Sequence, residues 1–202
     1  SPARPESIVK ILFWGTPAYA VASLDALVGA GHELVGVVSQ PDRRRGRGKA
    51  LVASPVKARA LELGIPVFTP ERIRREPDCQ QQLAQLGADV YVVVAFGQIL
   101  PPEILQQPPL GCWNGHGSLL PRWRGAGPIQ WSLIEGDSTT GVDGLAQRHE
   151  HQRAGAHVLQ ELVLHFRQHA PRAEDLGFRL RLVRKISAEF VELLHQLVAL
   201  LI

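Results

Sequence analysis

Asn114 and His116 stand two residues apart in the run CWNGHGSLLPRWRGAGPIQ, residues 112–130, a polar and glycine-rich stretch directly after a short apolar strand. On an extended strand end, side chains two apart point to the same side, so an amide NH2 and an imidazole can converge on one atom. Such a pair can donate hydrogen bonds to an oxyanion and move a proton, which are the needs of acyl transfer. The same residue types also suit a plainer role, a loop Asn and a partly buried His satisfying nearby backbone groups. Spacing alone leaves both readings open.

A second candidate lies upstream, where QPDRRRGRGKAL places Arg43, Arg44, Arg45, Arg47 and Lys49 within seven positions. Arginine grips phosphate through a planar fork, and 18 of the 22 basic residues in the chain are Arg, so a nucleic-acid partner is one reading of this segment. The other is a solvated charged face, the commoner fate of a charge run. Its glycines and charges predict a mobile exposed loop that orders on a polyanion. GRGK does not match a Walker phosphate loop. Trp113, Trp123 and Trp131 suit either base stacking or plain packing. Five of the eight histidines fall between His149 and His169, but their spacing fits no strong zinc pattern, and no metal is expected.

These residues need a scaffold, and the first half of the chain supplies one. A β-rich stretch over Ile8–Trp14 runs into Gly15-Thr16-Pro17, with Thr16 as N-cap and Pro17 as first helical residue of a helix to about Val28. A strand over Glu33–Val38 follows. Ser54-Pro55 opens a helix to Leu63, Val67-Phe68 is a short strand, and Thr69-Pro70 begins another helical stretch that continues over Gln80–Leu86. DVYVVVA, residues 89–95, reads as a central strand covered on both faces. Strands alternating with helices predict an α/β fold, a doubly wound, mostly parallel sheet with helices on both faces. In such sheets ligands sit at the carboxyl edge, so the loop Phe96-Gly97-Gln98-Ile99-Leu100-Pro101 is a candidate apolar slot. The turn after the first strand has one glycine where a dinucleotide fingerprint has three, which argues against a dehydrogenase.

Composition narrows the field further. The chain has 202 residues, 45% apolar and 20% charged, with a net charge of +3 and no apolar run of eighteen or more, so a folded, non-membrane protein is expected. SPARPE at the start has no apolar core of a signal peptide, which predicts a cytoplasmic setting. Cys79 and Cys112 are too few for a disulfide scaffold and are expected to be reduced. Methionine is absent even at position 1, as in a fragment.

The run NGHGSLLPRWRGAGPIQ resembles the signature of the folate-dependent formyltransferases, N-x-H followed by S-L-L-P and an R-G-x-x-P segment. ILFWGTPAYAVASLDAL, QPDRRRGRGKALVASPVK (40–57) and VVAFGQILP (93–101) agree with the same family, so that residues 8–142 match throughout, closest to its methionyl-tRNA branch. The resemblance implies transfer of a formyl group from 10-formyltetrahydrofolate to the amino group of initiator methionyl-tRNA, by a monomer. It implies Asn114 and His116 as the catalytic pair, and Phe96, Gly97, Ile99, Leu100, Ser118, Leu119, Leu120 and Pro121 as the folate border. Arg43, Arg44, Arg45, Arg47 and Lys49 become the loop that embraces the tRNA acceptor arm. Other outcomes consistent with the residues are a formyltransferase acting on a small amine, such as glycinamide ribonucleotide or an amino sugar, and an inactive remnant that binds folate or RNA.

The resemblance also breaks. After Thr139-Thr140-Gly141-Val142 the family continues to G-L-D-T-G, whose Asp orients the catalytic His, whereas Arg153-Ala154-Gly155 occupies that place here. Residues 143–170 therefore read as a frame-disrupted segment, expected to be the least ordered part of a catalytic domain spanning 1–202, and formyl transfer by this chain is expected to be slow. Helical spacing resumes over 171–202 through Leu176, Leu180, Val183, Phe190, Leu194 and Leu197. The resemblance also implies a β-barrel tRNA-binding domain after this helix; it is expected to be absent here, with a weak RNA grip resting on the basic loop.

Overall fold

A computed structural model describes residues 8–45, 50–116, 122, 135 and 143–147. In chain order the elements are β1 (Lys10–Gly15), α1 (Ala18–Gly29), β2 (Glu33–Val38), β3 (Arg43–Arg45), β4 (Ala50–Val52), α2 (Pro55–Glu62), β5 (Val67–Phe68), a 3-10 turn (Ile73–Arg75), α3 (Pro77–Gln85), β6 (Val90–Val94), α4 (Pro102–Leu105), β7 (Cys112–His116) and β8 (Asp143–Gln147). Six strands form one sheet in the order β5-β2-β1-β6-β7-β8. All its pairings are parallel except β7 with β8. This is the doubly wound, mostly parallel architecture that the alternation of strands and helices predicts.

Period-two alternation in the central strands builds two cores. Ile11 and Phe13 of β1 with Val90, Val92 and Val94 of β6 pack against Ala20, Leu24 and Leu27 of α1 on one face. Leu12 and Trp14 with Tyr91 and Val93 pack against Ile73, Leu83, Ile104 and Leu105 on the other. Each strand thus buries both faces, the reason β6 has no polar residue in VYVVV.

The strand order reverses direction at β1. From there the chain winds outward through β2 to β5, then returns to β6 on the other side, so the loops after β1 and β6 diverge at a topological switch point. Gly15 allows those two strand ends to approach, since a Cβ there would lie 2.7 Å from Phe13 Cε1 and 3.1 Å from the Val94 carbonyl oxygen.

Several local expectations need correction. β1 begins two residues later and ends one later than the apolar stretch Ile8–Trp14. Thr16 does not cap α1: Pro17 holds the cap position in extended conformation, with no side-chain cap bond, because the Thr16 hydroxyl is engaged by the β6 loop. The helical stretch expected from Thr69-Pro70 is a 3-10 turn, and α3 starts only at Pro77. Ser54 does cap α2, accepting a hydrogen bond from the Lys57 amide at 3.0 Å. The basic segment is more regular than a mobile loop, for its two arms pair antiparallel with Arg43 opposite Val52 and Arg45 opposite Ala50. The start of the aberrant segment is likewise ordered as β8, because β7 would otherwise present an unpaired edge. The remainder of 143–170 and the helix expected over 171–202 lie outside the described residues.

Candidate active site

β7 carries the central pair. Its pairing with β6 sets Val93 beside Asn114, so Asn114 lies level with the last turn of the β6 ladder and His116 lies two residues beyond it, at the carboxyl edge of the sheet. Both are half-buried. Cys112, Asn114 and His116 alternate onto the face that carries Tyr91 and Val93. Phe96 and Gly97, which follow β6 after Ala95, occupy the same edge.

Short polar side chains fasten the loops around this edge. The Thr16 hydroxyl donates to the Phe96 carbonyl oxygen at 2.9 Å, and Gln40 Nε2 donates to the same oxygen at 3.1 Å. The Gln40 amide in turn donates to Thr16 Oγ1 at 3.4 Å. The loops after β1, β2 and β6 are therefore one connected network. Gln98 ties in a fourth segment, accepting from the Ile73 amide at 2.9 Å and donating to the Pro70 carbonyl oxygen at 3.1 Å. Backbone strain sits in the same loop: Ala95 has φ +50° and Gly97 φ +90°. A non-glycine residue in the left-handed region costs about 1–2 kcal/mol, which the Thr16 and Gln40 bonds to the next residue offset.

The expected folate border divides in two. Phe96 and Leu100 turn their side chains into the core, and Phe96 packs edge-on against Trp14 with ring centroids 5.1 Å apart. They shape the loop and offer backbone groups. Ile99, at 65% exposure, and the Gly97 backbone are what this loop presents outward. Ser118, Leu119, Leu120 and Pro121 lie outside the described residues, as do Arg47 and Lys49.

Arg43 and Arg44 are exposed on β3. Arg43 Nη2 donates to Gln40 Oε1 at 3.3 Å, which links the basic hairpin to the loop network. Asp42, the one acid in that segment, is engaged by Lys57 Nζ at 2.7 Å, so the arginine arm keeps its positive field.

Cys112, on the same face as Asn114 and His116, is buried. Burial pushes its thiol up to about 12, and a thiol, unlike a thiolate, does not attack a carbonyl carbon near neutral pH. Burial also raises the Tyr91 phenol and the Cys79 thiol. Among the described residues no group of three His, Cys, Asp or Glu side chains gathers at a metal-ligand geometry. Sequence reasoning missed Thr16, Gln40 and Gln98 as loop ties; the available signal was a polar residue two or three positions after each of three predicted strands. In the β7–β8 register Asp143 stands directly opposite His116.

The profile of the formyl transferase family matches residues 9–171. The chain belongs to the formyl transferase family. Methionyl-tRNA formyltransferase of Synechococcus sp. (strain CC9605) is 62% identical over 193 residues, which cover 96% of this chain and 54% of that protein. The same-named protein of Synechococcus sp. (strain RCC307) is 74% identical over 140 residues, covering 68% and 42%. This formyl transferase chain spans about half the length of the curated relatives it matches. Phosphoribosylglycinamide formyltransferase from Bacillus Halodurans shares the fold at a TM-score of 0.68 and 17% identity, with 95% of each chain covered. A formyltetrahydrofolate deformylase from Pseudomonas syringae pv. tomato does so at 0.62 and 18%, covering 89% of this chain and 57% of its own.

Proposed function

We propose that the chain is the catalytic domain of an enzyme that transfers a formyl group from 10-formyltetrahydrofolate to the amino group of initiator methionyl-tRNA, at the start of translation. The observation that carries this reading is the placement of Asn114 and His116 on one face of β7, at the edge where the fastened loops after β1, β2 and β6 meet. Relatives at 62% and 74% identity that bear the name methionyl-tRNA formyltransferase support the choice of acceptor.

The amine nitrogen attacks the formyl carbon, and the carbonyl π pair moves onto oxygen. Asn114 donates an amide N–H to that oxyanion, and His116 takes a proton from the attacking nitrogen. The bond from formyl carbon to the folate nitrogen then breaks, that nitrogen receives a proton, and tetrahydrofolate leaves. No enzyme nucleophile is needed, in keeping with a buried, neutral Cys112. The Gly97 backbone and Ile99, with Ser118, Leu119, Leu120 and Pro121, border the donor, and the loop held by Thr16 and Gln40 supplies a rigid wall for it. Arg43, Arg44, Arg45, Arg47 and Lys49 contact phosphates of the acceptor arm. The working unit is a cytoplasmic monomer; among the described residues no helix is long and apolar enough to cross a membrane.

Several solved structures of the same fold bear the name of a glycinamide ribonucleotide enzyme, and that small amine is the competing acceptor. The test offers purified chain both acceptors with 10-formyltetrahydrofolate. Formylation of methionyl-tRNA in preference to glycinamide ribonucleotide is expected. The opposite preference, or donor binding without transfer to either, overturns the reading.

A further inference from the structure

We propose that Gln40 is a positioning residue shared by both substrates, its carboxamide coupling the basic arm to the donor loop so that a phosphate gripped by Arg43 tightens folate binding. The inference rests on the reading of the hairpin as the RNA arm and of residues 95–101 as the donor border. Gln40, two residues past β2, is only 9% exposed. Its Nε2 donates to the Phe96 carbonyl oxygen at 3.1 Å, its Oε1 accepts from Arg43 Nη2 at 3.3 Å, and its backbone N–H donates to Thr16 Oγ1 at 3.4 Å. The side chain also packs against the turn of the loop, for a Cβ on Gly97 would stand 3.5 Å from Nε2 and 3.9 Å from Cδ and Cγ. One amide thus meets the arm with its oxygen and the loop with its nitrogen.

Hydrogen-bond chemistry fixes that orientation. A carbonyl oxygen only accepts and a guanidinium only donates, so the amide satisfies both neighbours one way round; flipped, it sets acceptor against acceptor and donor against donor. Holding the guanidinium therefore holds the donor to Phe96. The loop needs such holding, since among the described residues Ala95 is the one non-glycine with positive φ, at +50°, and Gly97 follows at +90°. A stretch kept in the left-handed region by bonds from outside relaxes when those bonds loosen.

Arg43 is the end of this chain of contacts that another molecule can reach. It is exposed on β3, and among the described residues its guanidinium is hydrogen-bonded to Gln40 alone. Asp42 beside it is engaged by Lys57. At 3.3 Å the bond to Gln40 is long for N–H···O, so the arm by itself ties the amide loosely. A guanidinium carries five N–H donors; Gln40 takes one, which leaves enough for a bidentate grip on a phosphate. A phosphate that immobilises the side chain there removes the ordering cost of the Gln40 bond, and the folate then meets a loop already fixed. By linkage, the folate tightens RNA binding by the same factor.

The link is tested first without either substrate, by a double-mutant cycle on amide exchange at 95–101. Arg43→Ala should speed exchange there severalfold, Arg43→Lys should restore part of the protection, and adding Arg43→Ala to Gln40→Leu should bring no further change. Arg43 is exposed, so its variants should fold even if Gln40→Leu does not. Exchange at 95–101 that ignores Arg43→Ala overturns the inference. The coupling itself is read as the Kd of tetrahydrofolate, which carries no formyl group to transfer, with and without saturating methionyl-tRNA. The parent should bind it about fivefold more tightly with the tRNA present. Gln40→Glu, which keeps a partner for Arg43 but loses the donor to Phe96, should bind it equally in both conditions. Equal or weaker binding with tRNA in the parent, or the same tightening in Gln40→Glu, also overturns the inference. Failure to formylate methionyl-tRNA bears instead on the functional reading, since the exchange cycle needs neither folate nor tRNA.

Discussion

Raising the pH should destabilise this domain through Cys112. The thiol is 1% exposed, its sulfur has only weak contacts with the carbonyl oxygens of Leu105 and Ile104 at 3.7 and 3.9 Å, and burial lifts it from 9.0 to about 12. A group whose folded pKa lies above its unfolded one favours the folded state fully below the unfolded value, here about 9, and loses that contribution as pH climbs toward 12. At pH 10.5 the unfolded chain is ionised with a gain of about 2 kcal/mol that the folded chain does not share. The assay is urea unfolding of the 202-residue chain followed by circular dichroism at half-unit steps from pH 8 to 10.5. Cys112→Ala removes this share of the slope, while Tyr91, whose phenol burial also raises, keeps a smaller one above pH 10. Parallel stability curves for parent and Cys112→Ala would refute the reasoning. They would also reopen the thiolate chemistry that the site assignment discards.

Three further outcomes follow from the loop network and the basic hairpin. Gly15→Ala should destabilise by about 1–3 kcal/mol in urea unfolding, since its Cβ would stand 2.7 Å from the fully buried Phe13 ring; an unchanged midpoint would contradict the close approach of β1 and β6. Thr16→Val removes one of two donors to the Phe96 carbonyl oxygen and should cost about 1 kcal/mol, with faster amide exchange at 95–101 that Thr16→Ser reverses. Equal exchange in all three proteins would show that the loop does not depend on this bond. Replacing Arg43, Arg44 and Arg45 with Ala should weaken binding of methionyl-tRNA and reduce its logarithmic salt slope by roughly two to three; an unchanged slope excludes phosphate contacts by this arm.

How far the fold can be read from the residues depends on whether the cause is local. VYVVV in β6 and the alternation of Ile11 and Phe13 against Leu12 and Trp14 declare a two-faced central sheet, and Ser54-Pro55 declares a helix start. Thr16 reads as a cap because Thr before Pro has that local meaning, yet its hydroxyl is claimed by Phe96, eighty residues away. Phe96 and Leu100 read as a ligand slot because apolar loop residues near a ligand edge and apolar core residues look alike; in the fold both side chains are buried, Phe96 against Trp14. The arms of the basic hairpin and β8 were illegible for a related reason. Neither RRR nor DGLAQ has alternating apolar character, so each becomes a strand only through its partner, Ala50–Val52 in one case and the edge of β7 in the other. Asn114 and His116 were legible as a pair because β7 is itself the strand on which two-residue spacing has meaning.

The central claim is that Asn114 and His116 act together on the formyl group. It is tested most directly by the single-turnover rate of Asn114→Ala with 10-formyltetrahydrofolate and methionyl-tRNA, measured beside the Kd for the folate. Loss of an oxyanion donor predicts a rate lower by about 10²–10³ at nearly unchanged folate affinity. A variant that transfers formyl at the parent rate would contradict the account.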